Sequence, residues 1–376
     1  MLVFKPRSLF TAHCPLFSSA HCSLLTAHCS LVLRMPTEII DPLACPGWNE
    51  TISSNPEHSF FHSSNWAAVL KDSYSYKPLY FTRREGVEVS ALIPVMEVKS
   101  FLTGTRGVSL PFTDICEPVA SDEDGFSALL DEVLQYGRGA GWKYLELRGG
   151  AQRFNGAVPY RTWVRHVLAL RGGESELFRR LNSATRRNIR TAQKSGVRVT
   201  ISGIETDLDE YYRLHCLTRK RHGVPPQPRG FFKAIFRNVI SKGKGFTALA
   251  TYQGRPVSGA VYFHSGKKAI YKFGASDLGY QRLRPANLVM WEAIRHFSKN
   301  GFDELCLGRT EPENAGLIRF KEGWGTHESE ISYYRLDPLS GKMSDRSGHK
   351  LPYGLMRKVP FFVSRIVGSL LYRHMG

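Results

Sequence analysis

The chain has 376 residues, 42% of them hydrophobic and 22% charged, with a formal net charge of +18. That length holds two α/β domains with sizeable cores, and the composition excludes a disordered or collagen-like chain. No run approaches the roughly 20 apolar residues of a membrane span, and the positive excess points to an anionic partner.

Residues 1–34 contain no acid and repeat one phrase three times, at Thr11, Ser19 and Thr26. Their three His-Cys pairs lack the spacings of zinc sites, and His13, His21 and His28 interrupt any apolar signal-peptide core. This segment reads as a low-complexity extension, disordered and dispensable, with the functional chain starting at Met35. The other cysteines, Cys45, Cys116, Cys216 and Cys306, are scattered, which suits a reducing compartment and buried structural thiols. No metal cluster or nucleotide-binding loop is apparent, so no bound cofactor and no metal is expected.

From Tyr80 to Val95 two alternating segments meet at Gly86, the pattern of a β-hairpin, and Ala248 to Phe263 repeats it around Gly254. Asp131 to Gly149 predicts an amphipathic helix, a glycine stop and a strand, and Trp291 to Arg309 repeats that order, with Gly141 matching Gly301. The offsets are 168 residues for the hairpins and 160 for the helix-strand pairs, which is domain-sized spacing. Two homologous α/β domains are expected, not a solenoid.

Between the copies, Leu177 to Ile204 holds seven basic residues and no acid. It predicts a helix stopped at Gly196 and then a strand. Arg186, Arg187 and Arg190 lie near the start of that helix, where amides and dipole favour anions, so phosphate is the natural ligand. Further on, Leu307 to Ala315 leaves a predicted strand and enters Gly316 to Gly325, where Arg319, Phe320 and Lys321 sit between glycines. Loops leaving strand ends are where α/β folds place chemistry. The stretch from Gly341 is again basic, with seven Lys or Arg against one Asp, and Val359 to Arg373 carries about one short helix of apolar residues. Two fates are open to it: lying on an anionic membrane surface or docking on the protein's own core.

Three segments carry a family resemblance: Arg179 to Val197, Gly279 to Ile294 and Leu307 to Gly325. With the repeated hairpins they make the sequence from about Met35 to Asp337 resemble the FemAB-like, or BioF2-like, branch of the GNAT-related transferases. The resemblance implies tandem GNAT-like domains of α/β (α+β) class, each a mixed, mostly antiparallel sheet flanked by helices. It divides the chain into the extension 1–34, a first domain 35–165, a second domain 166–340 with the catalytic motif, and a basic tail 341–376.

The resemblance also implies acyl transfer by direct attack on an ester or thioester, with aminoacyl-tRNA or acyl-CoA as donor cosubstrate. The acceptor it implies is an anionic nucleotide- or lipid-linked sugar of cell-wall or surface-polysaccharide assembly. Lys321 and Phe320 are the expected catalytic pair, with Arg309 and Arg319 behind them. Arg186, Arg187 and Arg190 are expected to hold phosphate of the acceptor, and Arg284 and Asn287 to face the donor. Where acyl-CoA enzymes have a glycine-rich turn, this chain has Arg284, Pro285 and Ala286. Proline removes an amide donor, which favours a tRNA donor over CoA. An acyl-CoA-dependent acetyltransferase of exopolysaccharide synthesis and a non-catalytic polyanion-binding scaffold are the competing readings. The expected location is the cytoplasm, including the inner face of the membrane.

Overall fold

The computed structural model describes residues 36–154, 156–344 and 359–376; the extension 1–34 and part of the basic tail lie outside the described residues. Met35–Gly376 forms one compact unit. Its strands are β1 (Glu38–Ile40), β2 (Lys77–Glu85), β3 (Glu88–Val98), β4 (Arg106–Val108), β5 (Val119–Ala120), β6 (Leu145–Arg148), β7 (Arg161–Ala169), β8 (Arg198–Ser202), β9 (Gly245–Tyr252), β10 (Arg255–Ser265), β11 (Lys268–Ser276), β12 (Glu304–Thr310) and β13 (His327–Leu336). Its helices are α1 (Trp48–Ser53), α2 (Ser64–Tyr74), α3 (Glu123–Gly139), α4 (Gly173–Arg180), α5 (Ser183–Lys194), α6 (Glu205–His222), α7 (Arg229–Asn238), α8 (Pro285–Lys299), α9 (Ala315–Glu322) and α10 (Phe361–Leu371).

The expected duplication is present strand for strand. One sheet runs β1-β2-β3-β4-β6-β13-β7-β12-β11-β10-β9-β8, with β5 pairing beside β3. The first five strands and the last five are the same unit met from opposite ends, each containing the predicted hairpin and one parallel pair, β4–β6 or β11–β12. Gly86 (φ 64°) and Gly254 (φ 77°) make the two hairpin turns in the left-handed region, which is why glycine recurs there.

The two units exchange their last strands. After β6 the chain crosses to pair β7 with β12, and after β12 it returns to pair β13 with β6; β7 and β13 join the halves antiparallel, from His327 opposite Val167 to Tyr333 opposite Arg161. The division expected at residues 165/166 falls inside β7.

Helices cover both faces. On one, α2, α6 and α7 bring Trp66, Tyr211, Phe231 and Phe232 into a core with Leu92 and Met96 of β3 and Val261 and Phe263 of β10, so residues of both halves share it. On the other, α3 packs on the first half through Phe126, Leu129 and Val133. There α4, α5 and α8 pack on the second half through Leu177, Ile189, Trp291 and Phe297. Large side chains buried this fully stabilise by about 1.5–3 kcal/mol each before the entropy of ordering them.

Candidate active site

The parallel pair β11–β12 is in register only from Lys268–Glu304 to Ile270–Cys306. Beyond Ile270 and Cys306 the strands part. On the α8 side of this opening is a cavity of about 160 Å³ lined by Tyr262, Tyr271, Met290, Phe320, Ser258 and Arg221. Neighbouring residues of β11 alternate across the sheet: Tyr271 faces this cavity, whereas Lys272 lies over the rings of Phe61 and Trp66 in the opposite core.

Lys321 is buried at 3% exposure, although α9 is otherwise a surface helix. Its Nζ donates to the carbonyl oxygens of Gly308 (2.9 Å) and Arg309 (3.3 Å), where β12 has just slipped register against β7. Gly308 has φ 69°, so glycine serves the turn of the strand, and Asp114 lies against it. Burial is the main influence on Lys321. It lowers the ammonium pKa to about 8 against the opposing pull of Asp114 and Cys306.

Asp114 comes from the first half and anchors a charged cluster. It accepts from Lys272 Nζ at 2.9 Å and has Arg309 Nε at 3.9 Å. Desolvation pushes its pKa up, but Lys272, Arg309 and Lys321 outweigh that and hold the carboxyl below its usual range. Lys272 is held below the usual lysine value, first by burial, although Asp114 opposes the shift.

Arg309 is held by three aromatic and polar partners. Its Nη1 donates to the Tyr333 hydroxyl at 2.5 Å, that hydroxyl donates to the Asp114 carbonyl at 2.6 Å, and the guanidinium lies 4.2 Å from the Trp163 ring centroid. Trp163 stands on β7 and Tyr333 on β13, so each exchanged strand supplies one wall. The site therefore needs both halves.

Of the residues singled out from sequence, the structure brings Phe320, Lys321 and Arg309 to this opening. Arg284 and Asn287 lie at the start of α8, beside cavity residues Ala286, Val289 and Met290. The amide of Arg284 is bonded to Gln281 O, that of Asn287 to Arg284 O, and Pro285 has none. Arg319 is exposed, its Nε on Ala315 O.

The arginines of α5 divide. Arg186 Nη1 donates to Arg179 O, and Arg190 lies 5.6 Å from the Phe178 ring centroid, so both also hold α4. Arg187 is exposed. The start of α5 is capped by the Asn182 side chain, which accepts from Thr185 N, and the amide of Asn182 donates to Gly323 O, joining α5 to the end of α9. His215 and Cys216 are buried core residues, with the His215 ring on Gln227 at 2.8 Å. Among the described residues, His166, Glu322 and Glu328 place three ligand-type atoms within 4.8 Å of one another. Both glutamates are exposed, and the buried His166 is 3.4 Å from Glu328.

Sequence reading missed Asp114, Lys272, Trp163 and Tyr333. The available signal was a lysine in the apolar strand YKFGAS and an aspartate in PFTDIC. Neither says what it faces, because alternation along a strand assigns residues to two faces without identifying which face meets a partner.

A mixed sheet whose parallel strands part beside a helix start is a GNAT-like arrangement, and the acetyltransferase (GNAT) domain family matches residues 179–322. The UDP-N-acetylmuramoylpentapeptide-lysine N(6)-alanyltransferase of Weissella viridescens is 22% identical over 309 residues, covering 73% of this chain and 86% of that protein. A lipid II:glycine glycyltransferase of Staphylococcus epidermidis is 31% identical over 84 residues, 21% of this chain and 20% of the glycyltransferase. The crystal structure of FemX superposes with a TM-score of 0.64 at 15% identity, covering 79% of this chain and 96% of FemX. The chain thus carries a GNAT domain over residues 179–322 and is similar in sequence to these aminoacyltransferases and in fold to FemX.

Proposed function

We propose that the protein transfers an aminoacyl group from aminoacyl-tRNA to an amine or hydroxyl of a nucleotide- or lipid-linked cell-envelope precursor, on the cytoplasmic side of the membrane. In this reading 166–340 is the catalytic half and 35–165 the half that completes its site. The observation that carries the proposal is Lys321: a buried ammonium with two hydrogen bonds to strand carbonyls and a third N–H left for a ligand, next in the chain to Phe320, which lines a cavity of aminoacyl size.

The acceptor's lone pair adds to the ester carbonyl carbon, and the carbonyl oxygen takes up the negative charge. The tetrahedral adduct then collapses with cleavage of the ester C–O bond, and the ribose hydroxyl leaves with the proton the nucleophile gave up. Lys321 stabilises the oxyanion in a site sheltered from water, where a fixed cation acts most strongly. Phe320 closes the cavity over the acyl group. Arg187, Arg284 and Arg319 are exposed cations for the phosphates of donor or acceptor, with Arg186, Arg190 and Asn287 beside them.

A tRNA donor is favoured by the start of α8, where two amides are already bonded and a third is missing, which leaves a poor cradle for the pyrophosphate of CoA. The relatives' names, an alanyltransferase and a glycyltransferase, support an aminoacyl group. The test is binding and single-turnover transfer with charged tRNA and with acyl-CoA side by side at matched salt, since tRNA binding weakens steeply with ionic strength. Binding that depends on the aminoacyl group supports the proposal; saturable CoA binding with acyl transfer overturns the donor assignment.

A further inference from the structure

Helix α10 is docked the wrong way round for a core helix. Its buried positions are Ser364 and Gly368, followed by Tyr372, whereas Phe362, Ile366 and Leu370 on the opposite side are 66%, 55% and 63% exposed. Gly368 is pressed against the backbone of Pro226 so closely that any side chain would collide with it. The small residues thus hold the helix to the body, and the large apolar ones form a stripe at i, i+4 and i+8 facing outwards.

A second element extends the stripe. In the loop between β3 and β4, Phe101 is 87% exposed and Leu102 57%. This loop is rigidly held: Ser100 Oγ accepts from the amides of Leu102 and Thr103, and Gly104 N donates to Ser100 O at 2.7 Å. It is tied to the end of α10's chain through Phe101 stacked edge-on to His374 at 4.7 Å and through Arg106, which donates to His374 O and Gly376 O. Two apolar elements far apart in sequence are therefore clamped side by side. Five large apolar side chains exposed on two linked elements are uncommon on a soluble surface.

The surroundings are cationic. Lys99 and Arg373 are exposed at the loop and chain end, and Arg365 is exposed on α10. No acid occurs between Val359 and Gly376. Apolar side chains ringed by cations match the boundary between acyl chains and anionic headgroups, not the flat polar surface of a nucleic acid.

We propose that Phe362, Ile366 and Leu370 of α10, together with Phe101 and Leu102, form an interfacial anchor that inserts into a bilayer containing anionic lipid. The anchor sits directly behind the site. Tyr372 packs on Phe112 at 5.8 Å, and the Phe112 carbonyl accepts from Lys272 of the charged cluster. The anchor is thereby linked by packing to the loop that carries Asp114. The proposal stands on geometry and does not depend on which group the enzyme transfers.

The test is flotation of the full-length protein with phosphatidylcholine vesicles, with and without phosphatidylglycerol. These contain no acceptor, so the result is independent of the transfer reaction. The wild type is expected to float with the anionic vesicles and to be released by salt. The triple change Phe362→Gln, Ile366→Gln and Leu370→Gln, and separately the pair Phe101→Gln and Leu102→Gln, are each expected to weaken binding by roughly tenfold or more, with the protein still fully folded at the assay temperature because all five side chains are mostly exposed. Wild type that stays with the unbound fraction overturns the proposal. So does binding that neither set weakens, which would make it a matter of charge alone. A dimer that both sets dissociate, with no vesicle binding, would show the face to be a contact between copies of the chain.

Discussion

The two halves have the same strand order, yet only one opens. In the second half β11 and β12 part after Ile270 and Cys306. In the first half the matching pair β4–β6 is sewn shut: Ser109 N donates to Glu146 O, Arg148 N donates to Ser109 Oγ, and Cys116 N donates to Arg148 O. Where the second half has a cavity, the first has Glu146 buried between Arg148 (2.9 Å) and Arg335 (2.8 Å), with the Tyr160 hydroxyl donating to it at 3.0 Å. The segment after β6 makes only a short turn at Ala151–Arg153, whereas the segment after β12 builds α9 and carries Lys321 inward. Duplication supplied two halves of one sheet, and the closed half became the support of the open one, lending it Asp114 and, through strand exchange, β7 with Trp163.

The comparison breaks most severely at Glu146. Glu146→Ala leaves two buried guanidinium groups without their carboxylate and is expected to cost about 3–5 kcal/mol in urea unfolding, while the folded fraction still turns over. Burial tends to raise the Glu146 pKa, but Arg148 and Arg335 prevail and lower it from 4.5 to about 2. Its stabilisation is therefore complete above about pH 4.5 and fades as pH falls towards 2, so Glu146→Gln should flatten that part of the acid-stability curve.

Lys321→Ala should do the reverse, lowering kcat by about 10²–10³ with folding intact, since a buried cation is removed along with its desolvation cost. Full activity in this variant would end the catalytic assignment. Gly323→Ala places a methyl 2.6 Å from Thr185 Oγ1, where α9 meets α5, and should cost about 1–3 kcal/mol. Gly139→Ala, at the end of α3 with nothing near, should stabilise by roughly 0.5–1 kcal/mol; thermal melts separate the two.

The finest test is pH. A rate that needs the Lys321 ammonium is present below its pKa and falls as pH rises through about 8. Asp114 holds that pKa up, so Asp114→Asn should move the alkaline limb of the kcat profile to lower pH, with a loss at neutral pH of less than about tenfold. An unmoved limb would separate Asp114 from Lys321.

The duplicated fold was legible because it rests on local chemistry. Gly86 and Gly254 must take positive φ in hairpin turns, Gly141 and Gly301 do so after helices α3 and α8, and the alternation of the intervening strands follows from one buried face. The Phe320–Lys321 pair was legible as a basic residue between glycines. The rest of the site was not. Trp163 and Tyr333 are single residues in ordinary strands, and their meeting with Arg309 depends on β7 and β13 changing places, which no local propensity encodes.

The apolar helix near the chain's end was visible too, but not its direction. Periodicity gives a stripe of large residues and an opposite stripe of small ones, and core packing ordinarily buries the large one. Here Gly368 lies against Pro226, and the larger stripe faces out. Sequence by itself determined the elements, their duplication and the positive charge, because turns, caps and periodicity act over a few residues. Tertiary structure alone decided which parallel pair opened, which lysine was buried and which helix face stayed exposed, because each depends on contacts between segments far apart in the chain.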